Sequence, residues 1–255
     1  MIRGIYTAAS GMMAQKIKQE TIANNLSNLD TSGYKRDSSI FHSFPDMLLS
    51  SVDQGGSFPL RAQVGSLNLG ILVEENFTLH TQGGLYATEN PLDFALDGEG
   101  FFTVRTPDGI RYTRNGHFLR DVNGNLVTPQ GYFVLGEREE PFMIPSEKVG
   151  VDKRGVITHE GERTGRFMLT VFENPETLRK EGNNLFAASP GSQVANVEGL
   201  NTGVSQGFLE GANIDLVEEI SQAMMAMRVY EVNQKVLLAQ DELLGKCVNE
   251  VGTLR

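Results

Sequence analysis

The chain has 255 residues, 40% hydrophobic and 21% charged, enough for one large domain or two modest ones and too apolar for wholesale disorder. Asp and Glu number 32 against 22 Lys and Arg, a formal charge of -10 with no cationic cluster, which argues against binding a phosphate backbone. The single cysteine, Cys247, excludes an intramolecular disulfide framework and any multi-cysteine metal site.

No apolar run approaches the ~18–20 residues that span a bilayer. The start, Met1 to Tyr6, lacks the basic flank and apolar core of a cleaved secretory signal. The expected product is soluble, either cytoplasmic or exported by a route that needs no cleaved signal. Glycine and proline divide the chain: 22 of 28 glycines lie between Gly55 and Gly207, and the prolines all lie between Pro45 and Pro190. Both residues break helices and mark turns, so helix-compatible ends flank a turn-rich middle.

The first expected element is a helix ending before Asp30. Steps of three and four give Ile5, Ala8, Met12, Gln15, Gln19, Ile22, Leu26 and Leu29, a largely apolar seam of the kind that packs helix along helix. Asp30-Thr31-Ser32-Gly33 then stops it, with Gly33 suited to a left-handed cap. Residues 1–32 form this helical segment and residues 33–70 an extended linker.

From about residue 71 to 212 short strands and turns alternate. Phe101–Thr106 and Ile110–Thr113 flank Pro107-Asp108-Gly109 as a hairpin, and Phe167–Phe172 reads as a further strand. Asn115-Gly116 and Asn123-Gly124 are expected as type I′ turns. The middle is thus an antiparallel β domain.

The last element, within residues 213–255, is a long helix beginning after Asp215, which with Glu218 resembles a capping box. Its seam runs Leu216, Ile220, Ala223, Met227, Tyr230, Gln234, Leu237, Asp241, Leu244 and onward. A second stripe, Met225, Val229, Val232, Val236, Ala239, Leu243 and Cys247, runs beside it. A helix with one wet face does not readily hide both stripes. Two readings stand: a core helix of an ordinary domain, or a helix buried against copies from other subunits. Residues 1–29 carry a small positive charge and residues 213–255 a small negative one, which favours the two ends meeting.

Catalytic and metal motifs do not emerge. His42, His80, His117 and His159 have no metal-ligand spacing, and Asp121-Val122-Asn123-Gly124-Asn125 misplaces the glycine of a calcium loop. Glu139-Glu140 reads as a solvated pair, Asp97-Gly98-Glu99-Gly100 as a tight turn, and no nucleophile elbow is present. No enzyme activity and no cofactor are expected.

Three separated stretches together resemble one family. They are Ile5-Tyr6-Thr7-Ala8-Ala9-Ser10-Gly11-Met12 with Ile22-Ala23-Asn24-Asn25-Leu26-Ser27-Asn28 and Thr31-Ser32-Gly33-Tyr34-Lys35-Arg36; Gly98-Glu99-Gly100-Phe101-Phe102 with Tyr112-Thr113-Arg114-Asn115-Gly116-His117-Phe118; and Gly207-Phe208-Leu209-Glu210-Gly211-Ala212-Asn213-Ile214-Asp215 with Arg228-Val229-Tyr230-Glu231-Val232-Asn233. Their order and content resemble the bacterial flagellar axial proteins, the rod and hook subunits. At Asn115 the family pattern more often has Asp.

The resemblance implies an α+β fold, a mainly antiparallel β middle domain flanked by terminal helices that pair as a coiled coil in an inner tube. It implies a structural subunit of the basal-body rod that self-assembles through those helices. The subunit interface would use Ile5, Met12, Ile22, Leu26, Leu29, Leu216, Ile220, Met227, Tyr230, Leu237 and Leu244. Chain length matches the larger rod proteins, and the stretch Phe41–Gly70 points to the distal-rod rather than the proximal-rod type. Partners would be copies of itself, other rod and hook proteins, and the flagellar type III export apparatus, with no nucleic acid and no membrane insertion. Localisation would be the basal body, outside the cytoplasm. Phe44-Pro45-Asp46-Met47-Leu48 resembles the family's short export-gate motif, with Phe44 and Leu48 as anchors or, alternatively, as packing residues. The rival reading is a non-flagellar β-domain interaction module that forms a finite helix-mediated oligomer.

Overall fold

The computed structural model describes residues 2–53, 60–144, 149–152, 154–159, 162–195 and 202–251. The chain divides into two compact units, residues 1–24, 37–77 and 216–255 in the first, and residues 25–36 and 78–215 in the second.

The first unit is built on two long helices, α1 (Ile2–Ser27) and α2 (Leu216–Lys246). The α1 helix ends as the turn formers require: the amides of Asn28, Leu29 and Thr31 bond back three residues, and Gly33 takes a φ of 70°. Its buried face is made of small and medium residues, Ala8, Gly11, Ala14, Thr21 and Ile22. Thr21 Oγ1 lies 2.8 Å from Ser39 Oγ, tying that face to the strand Asp37–Ser43. Of the stretch expected as extended, residues 37–43, 47–53 and 60–67 are strand. Asp37–Ser43 pairs with Ile71–Thr78, and Met47–Asp53 forms an antiparallel hairpin with Leu60–Leu67. Asn68 fastens the base of that hairpin, donating from Nδ2 to the Phe44 carbonyl at 2.5 Å and accepting the Gly70 amide on Oδ1 at 2.9 Å.

The second unit is the β domain. Phe101–Thr106 is its central strand, flanked by Gly109–Thr113 as the expected hairpin and by Phe133–Val134 and Leu169–Phe172. All of its residues but Arg105 are buried, so both faces of this strand are covered. On one face Phe102 and Val104 join Phe94, Phe118, Phe167, Leu126 and Ile144 in the main core. On the other, Phe101 packs with Phe172, Leu178 and Phe186. The rings meet mostly edge to face, as their quadrupoles favour; Phe142 instead stacks on Phe167 at 5.3 Å.

Both expected type I′ turns are corrected. At Asn123-Gly124 only the glycine has positive φ (84°), and its amide bonds to the Asp121 carbonyl, which is a type I turn closed by a left-handed glycine. Gly116 has no positive φ at all. It is required because a Cβ there would stand 1.6 Å from the Phe94 carbonyl oxygen. The type I′ pattern instead falls on Asn183-Asn184, both at positive φ, which join Leu178–Gly182 to Leu185–Ala188.

Gly116→Ala is therefore expected to destabilise the β domain by about 3 kcal/mol, since the clash is with backbone and no side chain can yield. Thermal unfolding checks this: the midpoint should fall by about 6–12 °C.

Candidate assembly faces and a buried junction

Of the described side chains of α2, only Glu219 and Ala226 are buried, although the helix runs for 31 residues. The half-buried positions Tyr230, Asn233, Leu237, Gln240 and Leu244 continue the same line, so this face lies inward within the unit. The rest of the helix shows apolar side chains to solvent, including Val217, Met225, Val232 and Leu238, which are 56–73% exposed. On α1, Tyr6 and Met13 are similarly exposed. Burying one such side chain is worth ~1.5–3 kcal/mol, so a helix left in this state is short of partners.

The residues expected at the subunit interface fall in three positions within the single chain. Ile22 is buried. Ile5, Met12, Leu29, Tyr230, Leu237 and Leu244 are half-buried. Leu26, Leu216, Ile220 and Met227 are exposed. Phe44 is exposed, while the side chain of Leu48 lies outside the described residues.

The second unit contains a site that sequence reasoning missed as chemistry. Lys35, Arg114 and Glu210 meet in a buried ion triad, in which the side chains of Lys35 and Glu210 are 0% exposed. Lys35 Nζ donates to Glu210 Oε1 at 2.5 Å and to the Thr81 carbonyl at 2.7 Å. Arg114 Nη1 donates to Glu210 Oε2 at 3.2 Å, and its Nη2 to the Gly98 carbonyl at 2.9 Å. The Gly83 amide adds a further donor to Glu210 Oε1 at 3.0 Å. The Arg114 guanidinium also lies 5.3 Å from the Phe101 ring centre.

Burial holds the Lys35 ammonium below the ordinary lysine range, opposed by the Glu210 carboxylate and reinforced by the Arg114 charge. Burial likewise lowers the Arg114 guanidinium, again opposed by Glu210.

Each member of the triad belongs to a different one of the three motifs. The turn that delivers Lys35 is locked on every side. Gly33 donates to the Glu210 carbonyl at 2.7 Å, and a Cβ there would stand 2.4 Å from the Asn115 nitrogen. Tyr34 Oη donates to Asn25 Oδ1 at 3.1 Å, and Lys180 Nζ sits 3.8 Å from the Tyr34 ring centre while donating to the Lys35 carbonyl. Asn213 Oδ1 accepts the Arg36 amide at 2.6 Å. Lys35, Arg114 and Glu210 each stand within two residues of a glycine, Gly33, Gly116 and Gly211, but nothing local in the sequence pairs them.

The arrangement offers mechanical rather than reactive chemistry: a cross-braced anchor for the segments that lead into the terminal helices. Among the described residues no group of three His, Cys, Asp or Glu side chains could hold a metal ion. No described helix is long and apolar enough to cross a membrane.

Comparison with known proteins matches the same three regions. Residues 5–35 match the family described as Flagella basal body rod protein, residues 95–159 the Flagellar hook protein FlgE/F/G D1 domain, and residues 205–250 the Flagellar basal body rod FlgEFG protein C-terminal. The flagellar hook-basal body complex protein FlhO of Bacillus subtilis is 32% identical with 100% of both chains covered. The flagellar basal-body rod protein FlgG of Borreliella burgdorferi is 34% identical over 96% of this chain and 97% of its own. FlgG of Bacillus subtilis is 32% identical over 98% of this chain and 99% of its own. With similarity of this extent along the whole length, the chain belongs to the family of flagellar basal-body rod proteins.

Proposed function

We propose that this protein is a structural subunit of the flagellar basal-body rod that joins its neighbours through its terminal helices, and that it is of the distal-rod FlgG type rather than the proximal-rod type. The observation that carries the reading is the apolar surface of α2, which the single chain leaves open along its length. Full-length similarity to proteins named FlgG supports the distal assignment.

In this account residues 1–32 and 213–255 supply the helices of the tube, residues 33–70 are the linker that carries the candidate export motif, and residues 71–212 form the β-rich middle domain. Partners are copies of the same chain and other rod and hook proteins. The role is mechanical and requires no catalysis. Contacts that are heterologous and do not close generate a helical array, and a stiff shaft is what transmits torque. Export proceeds through the flagellar type III apparatus, with Phe44 and Leu48 as the residues it reads.

Crosslinking in intact basal bodies tests the proposal. With Cys247→Ser as background and cysteines introduced at the exposed positions Ile220 and Met225, crosslinks to copies of the same chain and to rod or hook subunits are expected. A single finite oligomer with no flagellar partner would contradict the rod assignment and favour an interaction module.

A further inference from the structure

The inward line of α2 is unusual in what it contains. Asn233 and Gln240 face α1, and opposite them α1 has glycine. A Cβ on Gly11 would stand 3.0 Å from Asn233 Nδ2, and a Cβ on Gly4 would stand 2.9 Å from Gln240 Nε2. Each contact is one heptad from the other on both helices, and the pairing runs antiparallel. Gln240 Oε1 is buried with no hydrogen-bond partner among the described residues. An unsatisfied buried acceptor lowers stability, so these amides are poor choices if the seam exists only to hold the helices together.

The apolar part of the same line cannot select a register. Tyr230, Leu237 and Leu244 repeat at seven-residue intervals, so sliding α2 by one heptad, about 10.5 Å, replaces one large apolar side chain by another. The polar part changes completely under the same slide. In one direction Gly4 would receive Asn233 and Gln240 would run past the start of α1. In the other Gly11 would receive Gln240, and Asn233 would face Lys18 in place of glycine. Either slide keeps one amide-on-glycine contact and destroys the other.

We infer that Asn233 and Gln240, seated on Gly11 and Gly4, are the residues that fix the antiparallel register of the two terminal helices. Buried polar residues at seam positions are known to select register at the expense of stability. The consequence for the protein is positional. Register decides which part of the exposed α2 surface lies beside Tyr6 and Met13, and hence what shape a neighbour meets. The inference rests on contacts within one chain and stands whether or not the rod assignment does.

Crosslinking of purified full-length monomer measures register. In a Cys247→Ser background, Ala8→Cys is paired with Val236→Cys for the native register; Ala8 and Val236 line one common cavity with Asn233. It is paired with Val229→Cys or Leu243→Cys for the two one-heptad slides. With a short bis-maleimide, the native pair is expected to crosslink at least tenfold more than either slid pair. With Asn233→Leu and Gln240→Leu added, at least one slid pair is expected to rise to within threefold of the native pair. Slid pairs that stay tenfold lower in the leucine variant would overturn the inference, as would equal crosslinking of all three pairs in the parent. Gly4→Ala with Gly11→Ala crowds the same two contacts from the other helix and is expected to give the same loss of preference. If the leucine variant does not fold, an unchanged tenfold preference in this alanine variant overturns the inference.

Discussion

Replacing Glu210 with alanine is expected to destabilise the β domain by about 3–5 kcal/mol, the range for leaving buried charge uncompensated. Among the described residues Glu210 is the only anion paired with Lys35 and Arg114, and the side chains of both cations are buried. The cost comes from the two stranded cations rather than from the lost attraction. Urea unfolding should show it as a midpoint lowered by more than 1 M, for slopes of about 1–3 kcal/mol per M. The pair Lys16–Glu20 provides the contrast, at 3.7 Å with both side chains more than 60% exposed. There, Glu20→Ala should cost about 0.5 kcal/mol or less.

The pH dependence has a definite sign. Lys35 has a folded pKa below its unfolded value, so in that interval the unfolded chain binds more protons and stability rises with pH. Removing Glu210 removes the group that opposes the lowering, so in the variant the rise begins at lower pH. The deficit of Glu210→Ala relative to the parent is therefore expected to shrink as pH climbs toward the ordinary lysine range. A deficit that stays constant with pH would contradict the reading of Lys35 as a stranded cation.

The second large effect concerns assembly. Ile220 is 43% exposed in the single chain. Ile220→Asp should therefore leave both units folded while removing an apolar contact and placing a charge in the proposed subunit interface. Losing ~3 kcal/mol per contact lowers the association constant by about 100-fold, and every subunit in the array bears the same loss. Sedimentation should show polymer in the parent and monomer in the variant, with near-ultraviolet circular dichroism unchanged. Leu237→Asp differs in kind, because Leu237 is half-buried in the α1–α2 seam. It should abolish assembly too, and should also lower helix content in the monomer.

Much of this architecture was legible in the sequence because it is written in local terms. The absence of proline from the ends, the hairpin at Phe101–Thr113 and the glycine that stops α1 all depend on neighbours within a few residues. The two stripes on α2 were also visible, and their excess over what one partner helix could hide is what the structure displays as exposed surface. The inward line of α2 was harder to see. A count of large apolar residues passes over Asn233 and Gln240, yet close approach to Gly11 and Gly4 is what those amides achieve. The triad was illegible for a different reason: Lys35, Arg114 and Glu210 are far apart in sequence, and only the folded β domain brings them together. Gly116 likewise looked like a turn residue, when its role is set by the Phe94 carbonyl, more than twenty positions earlier.

In the proposed assembly neighbouring subunits cover the open apolar surface of the terminal helices. Methionine oxidation followed by mass spectrometry tests this directly, because Met13, Met224, Met225 and Met227 are all at least 50% exposed in the single chain. In dilute monomer these four should oxidise at rates close to that of free methionine. In assembled rods Met224, Met225 and Met227 should be protected at least tenfold. Oxidation of all three at the monomer rate within assembled rods would contradict the account.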